Sequence, residues 1–191
     1  MRKLILQVQI TVDGFIAGPN GEMDFMVWDW DEEGKKYVSE LTDSIDCILL
    51  GRKLAEGFIP YWEKVVSDKN NPEYLFGKKM SDTSKVVFSR KLKVIEWNNA
   101  RLAKGELKAE INSLKNQNGK DIIAYGGGTF VSSLIKEGLV DEFQLFVNPV
   151  AIGNGMPIFK ELDSKQELIL IKAIPFACRI VVLNYELKRN N

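Results

Sequence analysis

Three consecutive glycines, Gly126-Gly127-Gly128, stand between the apolar run Ile122-Ile123-Ala124-Tyr125 and the helically spaced Phe130, Val131, Leu134 and Ile135. Glycine permits close backbone approach and positive φ, and a helix start offers free N–H groups and the positive end of the dipole. With Thr129 adding a hydroxyl, the unit could cradle a phosphate; it could also be a purely structural tight turn. It is neither GxGxxG nor a P-loop, since no Gly-Lys-Ser/Thr follows. Gly51-Arg52 and Ser89-Arg90 share one placement, each just after a short apolar run. An Arg there is commonly a solvated surface residue. Guanidinium forks and a Ser hydroxyl also suit a phosphate monoester, so two such pairs beside a glycine turn could hold a nucleotide with more than one phosphate group. The acidic residues Asp24, Asp29, Asp31, Glu32 and Glu33 surround Trp28 and Trp30. They read either as a solvated helix start or as the source of a carboxyl whose pKa is raised by aromatic surroundings and which could orient or protonate a heterocycle. Spacing does not choose among the acids.

The chain of 191 residues has no histidine. That excludes Ser-His-Asp and Cys-His catalysis, His-ligated metals and a histidine base, leaving carboxyl, Lys, Tyr or water as proton donors. No metal site is expected. The 26 basic and 26 acidic residues balance, whereas a nucleic-acid binder usually carries a basic excess that releases counterions. At 45% hydrophobic and 10% aromatic the composition is globular, and one domain over residues 1–191 is expected. Cys47 and Cys178 adjoin apolar runs and read as small buried core residues rather than a disulfide. No apolar run approaches the roughly 18 residues of a membrane span, so a reduced, cytoplasmic, soluble protein is expected.

The elements that must position these groups follow from periodicity. Leu4, Leu6, Val8 and Ile10 alternate with Ile5, Gln7 and Gln9 as in a strand, which Asp13-Gly14 ends. Tyr37, Val38, Leu41 and Ile45 fall at helical spacing behind the acidic start Asp29 to Glu33. Cys47 to Leu50 and Val86 to Phe88 read as buried strands, and Leu107, Ile111 and Leu114 as an amphipathic helix stopped by Asn118-Gly119. Residues 60–84, with Pro60, Pro72 and two adjacent Asn, read as a long surface excursion whose Tyr61, Trp62 and Tyr74 either cover a pocket or pack as satellite core. Phe143 to Val150, 167–174 and 178–187 read as strands without intervening helices, hence antiparallel. The sum is an α/β domain of three layers, with a mainly parallel sheet, flanking helices and a C-terminal antiparallel hairpin. Its ligand belongs at the carboxyl ends of the parallel strands.

In this order and spacing, five segments resemble the dihydrofolate-reductase-like family, in the bacterial branch related to the C-terminal reductase domain of riboflavin biosynthesis. They are Thr11-Val12-Asp13-Gly14-Phe15-Ile16-Ala17, Leu50-Gly51-Arg52, Val87-Phe88-Ser89-Arg90, Tyr125-Gly126-Gly127-Gly128-Thr129-Phe130 and Gly153-Asn154-Gly155-Met156-Pro157-Ile158-Phe159. The resemblance implies a sheet of about eight strands with helices on its faces, NADPH as hydride donor, and often a homodimer. It assigns Gly51 and Arg52 to the pyrophosphate and adenosine-phosphate segment, Ser89 and Arg90 to the 2′-phosphate, and Gly126, Gly127, Gly128 and Thr129 to the pyrophosphate. Gln9, Ile16 and Ala17 fall where the nicotinamide is lined. Counting without gaps from Ile16 brings Asp29 to the catalytic carboxyl of the folate enzymes, with Asp24 the other candidate. Lys53-Leu54 stands where those enzymes usually place a Thr on the cofactor.

The resemblance implies an NADPH-dependent reductase that passes hydride to a C=N or C=O carbon of a pteridine, pyrimidine or ribosylaminopyrimidine, with a proton from water or an acid such as Asp29. The alternative is a nucleotide-binding module without turnover, acting as sensor or scaffold; a third is a structural α/β domain with a vacant site. The expected partners are a small heterocycle and a second copy of the chain, with Phe143, Phe146 and Phe176 as candidate contacts if they are not core. The zinc-binding His-x-Glu and Cys-x-x-Cys pattern of the riboflavin deaminase does not occur, so a stand-alone reductase-like domain is expected.

Overall fold

The computed structural model describes residues 1–189. Alternation in the first segment builds β1 (Leu4–Thr11), and Asp31 caps α1 (Glu32–Asp43) by accepting from the Gly34 N–H at 2.7 Å. There follow β2 (Ile45–Gly51), α2 (Arg52–Ser67), α3 (Tyr74–Asp82), β3 (Ser84–Phe88), β4 (Ala100–Leu102) and α4 (Leu107–Lys115). The chain closes with β5 (Asp121–Tyr125), α5 (Gly128–Lys136), β6 (Glu142–Asn148), β7 (Leu168–Pro175) and β8 (Val181–Leu187). The 8-stranded sheet has the order β4-β3-β2-β5-β1-β6-β8-β7, parallel from β4 to β6 and antiparallel at β6-β8-β7. The expected three-layer architecture with its C-terminal hairpin is therefore present.

Side-chain alternation decides which helix covers which face. Leu4, Leu6, Val8 and Ile10 of β1 pack with Ile111 and Leu114 of α4 and Val131, Leu134 and Ile135 of α5. Ile5, on the opposite face, joins Ile48, Leu50, Ala55, Ile59 and Met80, so α2 and α3 cover that side. Beside them α1 lays Tyr37 and Val38 against Phe146, Phe176 and Val182. Fully burying a Phe such as Phe143 or Phe146 contributes about 2–3 kcal/mol.

The structure corrects the reading of residues 60–84. Helix α2 runs through Pro60, and α3 occupies much of what reads as excursion. Pro60 is exposed while Ala55, Ile59 and Val65 are buried, so the hydrogen bond that proline removes is lost on the water side of the helix. At Gly77 an added Cβ would come within 2.6 Å of Val65 Cγ1, and this bare spot lets α3 cross α2 closely. Trp62 meets Phe58, Phe76 and Tyr61 with ring centroids 6.1, 5.3 and 4.8 Å away, so it belongs to the core beneath α2 and α3. The short strand β4 carries too few apolar residues to be legible as a strand.

Phe143, Phe146 and Phe176 are likewise core, not surface. The apolar surface lies instead on the edge strand β7, where Ile169, Leu170 and Ile171 are about half exposed. Cys47 is buried, and burial pushes its thiol up to about 11. Cys178 is half-buried rather than buried, and both cysteines are free. Among the described residues no helix is long and apolar enough to cross a membrane, and no cluster of His, Cys, Asp or Glu could hold a metal ion.

Candidate functional site

Parallel pairing sends the carboxyl ends of β3, β2, β5, β1 and β6 to one edge of the sheet. Gly51 pairs with Phe88 there, Ala124 with Leu49, and Thr11 with Asn148. Gly51, Arg52, Ser89, Arg90, Gly126, Gly127, Gly128 and Thr129 all lie at or just past these strand ends. Ile16 and Ala17 join them from the loop after β1: a Cβ on Gly128 would sit 3.7 Å from Ile16 Cδ1. Two surface hollows, one lined by Lys165, Gln166, Glu167, Leu187 and Lys188 and the other around Arg2 and Lys115, lie at the opposite, amino edge.

The glycines divide into two kinds. At Gly51 an added Cβ would be 2.9 Å from Cβ of Phe130, whose ring stacks on Phe88 at 4.9 Å, so this glycine lets α5 pack on the end of β2. At Gly126 and Gly127 a Cβ would meet nothing nearer than 4.0 Å, yet Gly127 has φ +111°. Packing does not require glycine there; at Gly127 the backbone conformation does, and the space above the turn is open. Gly51 and Gly127 are the N-caps of α2 and α5, neither helix start has a side-chain cap, and neither first turn carries an acid. Two helix starts with unsatisfied N–H groups, on neighbouring strands beside an open glycine turn, are a donor set that fits a diphosphate. Thr129 is exposed in the first turn of α5.

The basic residues flank this cradle. Arg52 Nη1 donates to Glu56 Oε1 at 2.6 Å, which leaves the rest of its guanidinium fork free. Ser89 Oγ accepts from the N–H groups of Lys91 and Leu92 at 3.0 and 2.8 Å, forming a turn that holds Arg90 at the surface. The Ser89 hydroxyl proton remains available to a phosphate oxygen.

Two of the segments quoted above, far apart in sequence, meet in space. Phe15 bridges to Pro157, the Ile16 N–H donates to the Met156 carbonyl at 3.0 Å, and the Met156 N–H donates to the Ala17 carbonyl at 2.8 Å. Asp13 ties the far end by accepting from the Thr11 hydroxyl at 2.6 Å and the Gly153 N–H at 2.7 Å, bonds that hold its carboxyl below the usual range. A Cβ on Gly155 would fall 2.3 Å from the Ala17 oxygen, so only glycine allows this contact.

The acidic segment separates into parts with different roles. Asp31 is the N-cap of α1 and also accepts from the Cys178 N–H at 2.7 Å; these backbone bonds lower its pKa, the opposite direction from a neutral-pH proton donor. Asp24 and Asp29 are exposed in an irregular stretch. Trp28 is exposed as well, whereas Trp30 stacks on Phe146 at 5.5 Å and donates from its indole nitrogen to the Val27 carbonyl. The residue that fastens this stretch to the sheet is Asn148, which sequence reasoning missed. It is fully buried at the end of β6 and accepts from the Val27 N–H at 2.9 Å. Its Nδ2 donates to Gln9 Oε1 at 2.8 Å. Tyr125, just before the glycine turn, pairs with Gln7 on β1 and stacks on Phe58 at 5.5 Å as part of the core beneath α2, and burial raises its pKa. Only an isolated polar residue inside an apolar strand could have flagged Asn148, and that signal does not name its partner.

The profile of the RibD C-terminal domain family matches residues 2–182. The uncharacterized protein YyaP of Bacillus subtilis is 34% identical over 186 residues, covering 96% of this chain and 94% of that protein. Among solved structures, a diaminohydroxyphosphoribosylaminopyrimidine deaminase/5-amino-6-(5-phosphoribosylamino)uracil reductase of Thermotoga maritima superposes with TM-score 0.68 at 15% identity, over 98% of this chain and 57% of that longer one. Dihydrofolate reductase of Enterococcus faecalis, complexed with NADP(H), superposes with TM-score 0.61 at 16% identity, over 98% of this chain and 97% of that one.

Proposed function

The chain belongs to the RibD C-terminal domain family, and from that premise we propose that it is an oxidoreductase using NADPH to reduce a small heterocycle of the pteridine, pyrimidine or ribosylaminopyrimidine class. The observation that carries the proposal is the donor set at the carboxyl edge: the open Gly126–Gly127 turn between two uncapped helix starts, flanked by Arg52 and Arg90. When bound, the cofactor supplies the hydride. The N–H groups at the starts of α2 and α5 would hold its diphosphate, with Thr129 and Arg52 beside them, and Ser89 and Arg90 would take the 2′-phosphate. Gln9, Ile16 and Ala17 would form the wall of the nicotinamide pocket, which fixes the distance and angle of transfer. Asp29, or Asp24, would hand a proton to the reduced centre directly or through water. The acceptor class is supported by the activities named for the two fold neighbours. We place this activity in the cytoplasm, where reduced thiols such as Cys47 persist.

The test is a titration with NADPH and NADH, followed by tryptophan quenching and energy transfer to the nicotinamide. Saturable binding that prefers NADPH, followed by NADPH oxidation with one compound of a heterocycle panel, is the expected result; absence of binding to either cofactor overturns the proposal. The exposure of both candidate acids favours a second reading, a nucleotide-binding module without turnover. Tight NADPH binding with no oxidation across the panel would decide for it.

We also propose a homodimer through β7, whose half-exposed Ile169, Leu170 and Ile171 form an apolar edge that monomers rarely leave uncovered. Light scattering is expected to give twice the chain mass for the wild type and a shift to monomer for Ile171→Lys. A monomeric wild type would remove the dimer from the proposal.

A further inference from the structure

Asn148 is fully buried, and its amide orientation is dictated by the backbone around it. The Val27 N–H demands an acceptor, so Oδ1 must face it at 2.9 Å. The Phe146 carbonyl demands a donor, which Nδ2 supplies at 3.1 Å. Nδ2 therefore also faces β1, and it donates its second proton to Gln9 Oε1 at 2.8 Å. Gln9 in turn has no choice: with its oxygen held by Asn148, its NH2 group must point away from β6. Gln9 is half-buried, and among the described residues its NH2 group donates to none, so that donor is free for a ligand. A single buried side chain thus sets two things at once, the docking of the stretch that carries Asp24 and Asp29 and the polarity of the wall formed by Gln9.

We propose that Asn148 is a positioning residue that fixes Gln9 as a hydrogen-bond donor to the carboxamide oxygen of the cofactor's nicotinamide, and that it couples this contact to docking of the Val27 segment. This rests on the assignment of the Gln9 wall to the nicotinamide. It adds that the wall accepts a carbonyl oxygen and rejects a donor. Replacing Asn148 by aspartate makes the coupling visible. A carboxylate can still accept from Val27 but can no longer donate, so the Gln9 amide turns over and presents its oxygen to the site. Protonating that carboxyl returns the donor.

The experiment compares two ligands by calorimetry: NADPH, and 2′-phosphoadenosine diphosphoribose, which keeps every phosphate but lacks the nicotinamide. Gln9→Glu, Asn148→Leu and Asn148→Asp at pH 7 are each expected to lower NADPH affinity about tenfold, the effect of one lost hydrogen bond, while the truncated ligand changes less than about twofold. Hydrogen exchange at the Val27 amide is expected to accelerate in Asn148→Leu but stay slow in Asn148→Asp. NADPH affinity of Asn148→Asp is expected to recover as the pH falls towards 5, a rescue that a merely structural role would not produce. Equal loss of both ligands, or no loss of NADPH affinity in folded variants, overturns the positioning role. Equal affinity of the wild type for the two ligands overturns the nicotinamide contact while leaving the phosphate cradle standing; failure of the wild type to bind either removes the cofactor reading and this inference together.

Discussion

Arg90→Ala is expected to weaken NADPH binding about thirtyfold and to leave NADH binding within about twofold. Arg90 is exposed at the end of β3, held there by the turn that Ser89 Oγ makes with Lys91 and Leu92. A charge-assisted bond between a guanidinium and a phosphate contributes about 2 kcal/mol, and each 1.4 kcal/mol is tenfold in affinity. NADH has no 2′-phosphate to lose. Because the pair would be open to solvent, the NADPH preference should also shrink as salt is raised. Parallel fluorescence titrations of the wild type and the variant at two salt concentrations measure the loss on substitution and its salt dependence. If the variant loses NADPH and NADH equally, Arg90 does not read the 2′-phosphate, and the cofactor preference must be sought elsewhere on the edge.

Gly155→Ala is expected to lower stability by about 3 kcal/mol, a fall in Tm of roughly 6–12 °C for a chain of this size. Its Cβ would lie 2.3 Å from the Ala17 oxygen and 3.0 Å from Phe15, both on the opposing strand of the contact. Neither is the flexible end of a side chain, so relief requires the backbone bonds between Ile16, Ala17 and Met156 to open. Gly127→Ala supplies the contrast. It meets no atom nearer than 4.0 Å but must adopt φ +111°, at about 1–2 kcal/mol, and it fills the space over the turn. The first variant should therefore lose more stability and the second more cofactor affinity. Thermal unfolding and NADPH titration on the same two proteins test this, and an unchanged Tm for Gly155→Ala would mean that the two segments are not held by this contact.

Both predictions concern residues visible in the sequence, but they were visible for different reasons. Gly127 was marked by its neighbours, a strand on one side and a helical stripe on the other, and its local geometry follows from that setting. Gly155 was visible only as part of a matching segment. Nothing near it announces that its Cα faces a carbonyl well over a hundred residues earlier. The reading of residues 60–84 failed for a related reason. Proline and asparagine signal breaks locally, but packing of Ile59 and Trp62 in the core under α2, and of Val65 against Gly77 of α3, overrides the single hydrogen bond lost at Pro60. Phe143, Phe146 and Phe176, which the sequence left open between core and contact surface, are core, since strand alternation does not tell which face another element covers.

By itself the sequence determined the period and order of most elements, the absence of histidine chemistry, and the strand-end placement of Gly51-Arg52, Ser89-Arg90 and Gly126–Thr129. These follow from local chemistry: alternation sets strands, glycine relaxes φ, and parallel strands separated by helices share one carboxyl edge. Tertiary structure alone decided which glycines serve packing and which leave open space, that Asp31 is a cap, and that Asn148 joins Gln9 to the acidic segment. Those properties depend on which backbone N–H or C=O lies within hydrogen-bond distance across the fold. Only chain folding brings such groups together, because the Asn148 amide has no preferred partner until Val27, Phe146 and Gln9 surround it.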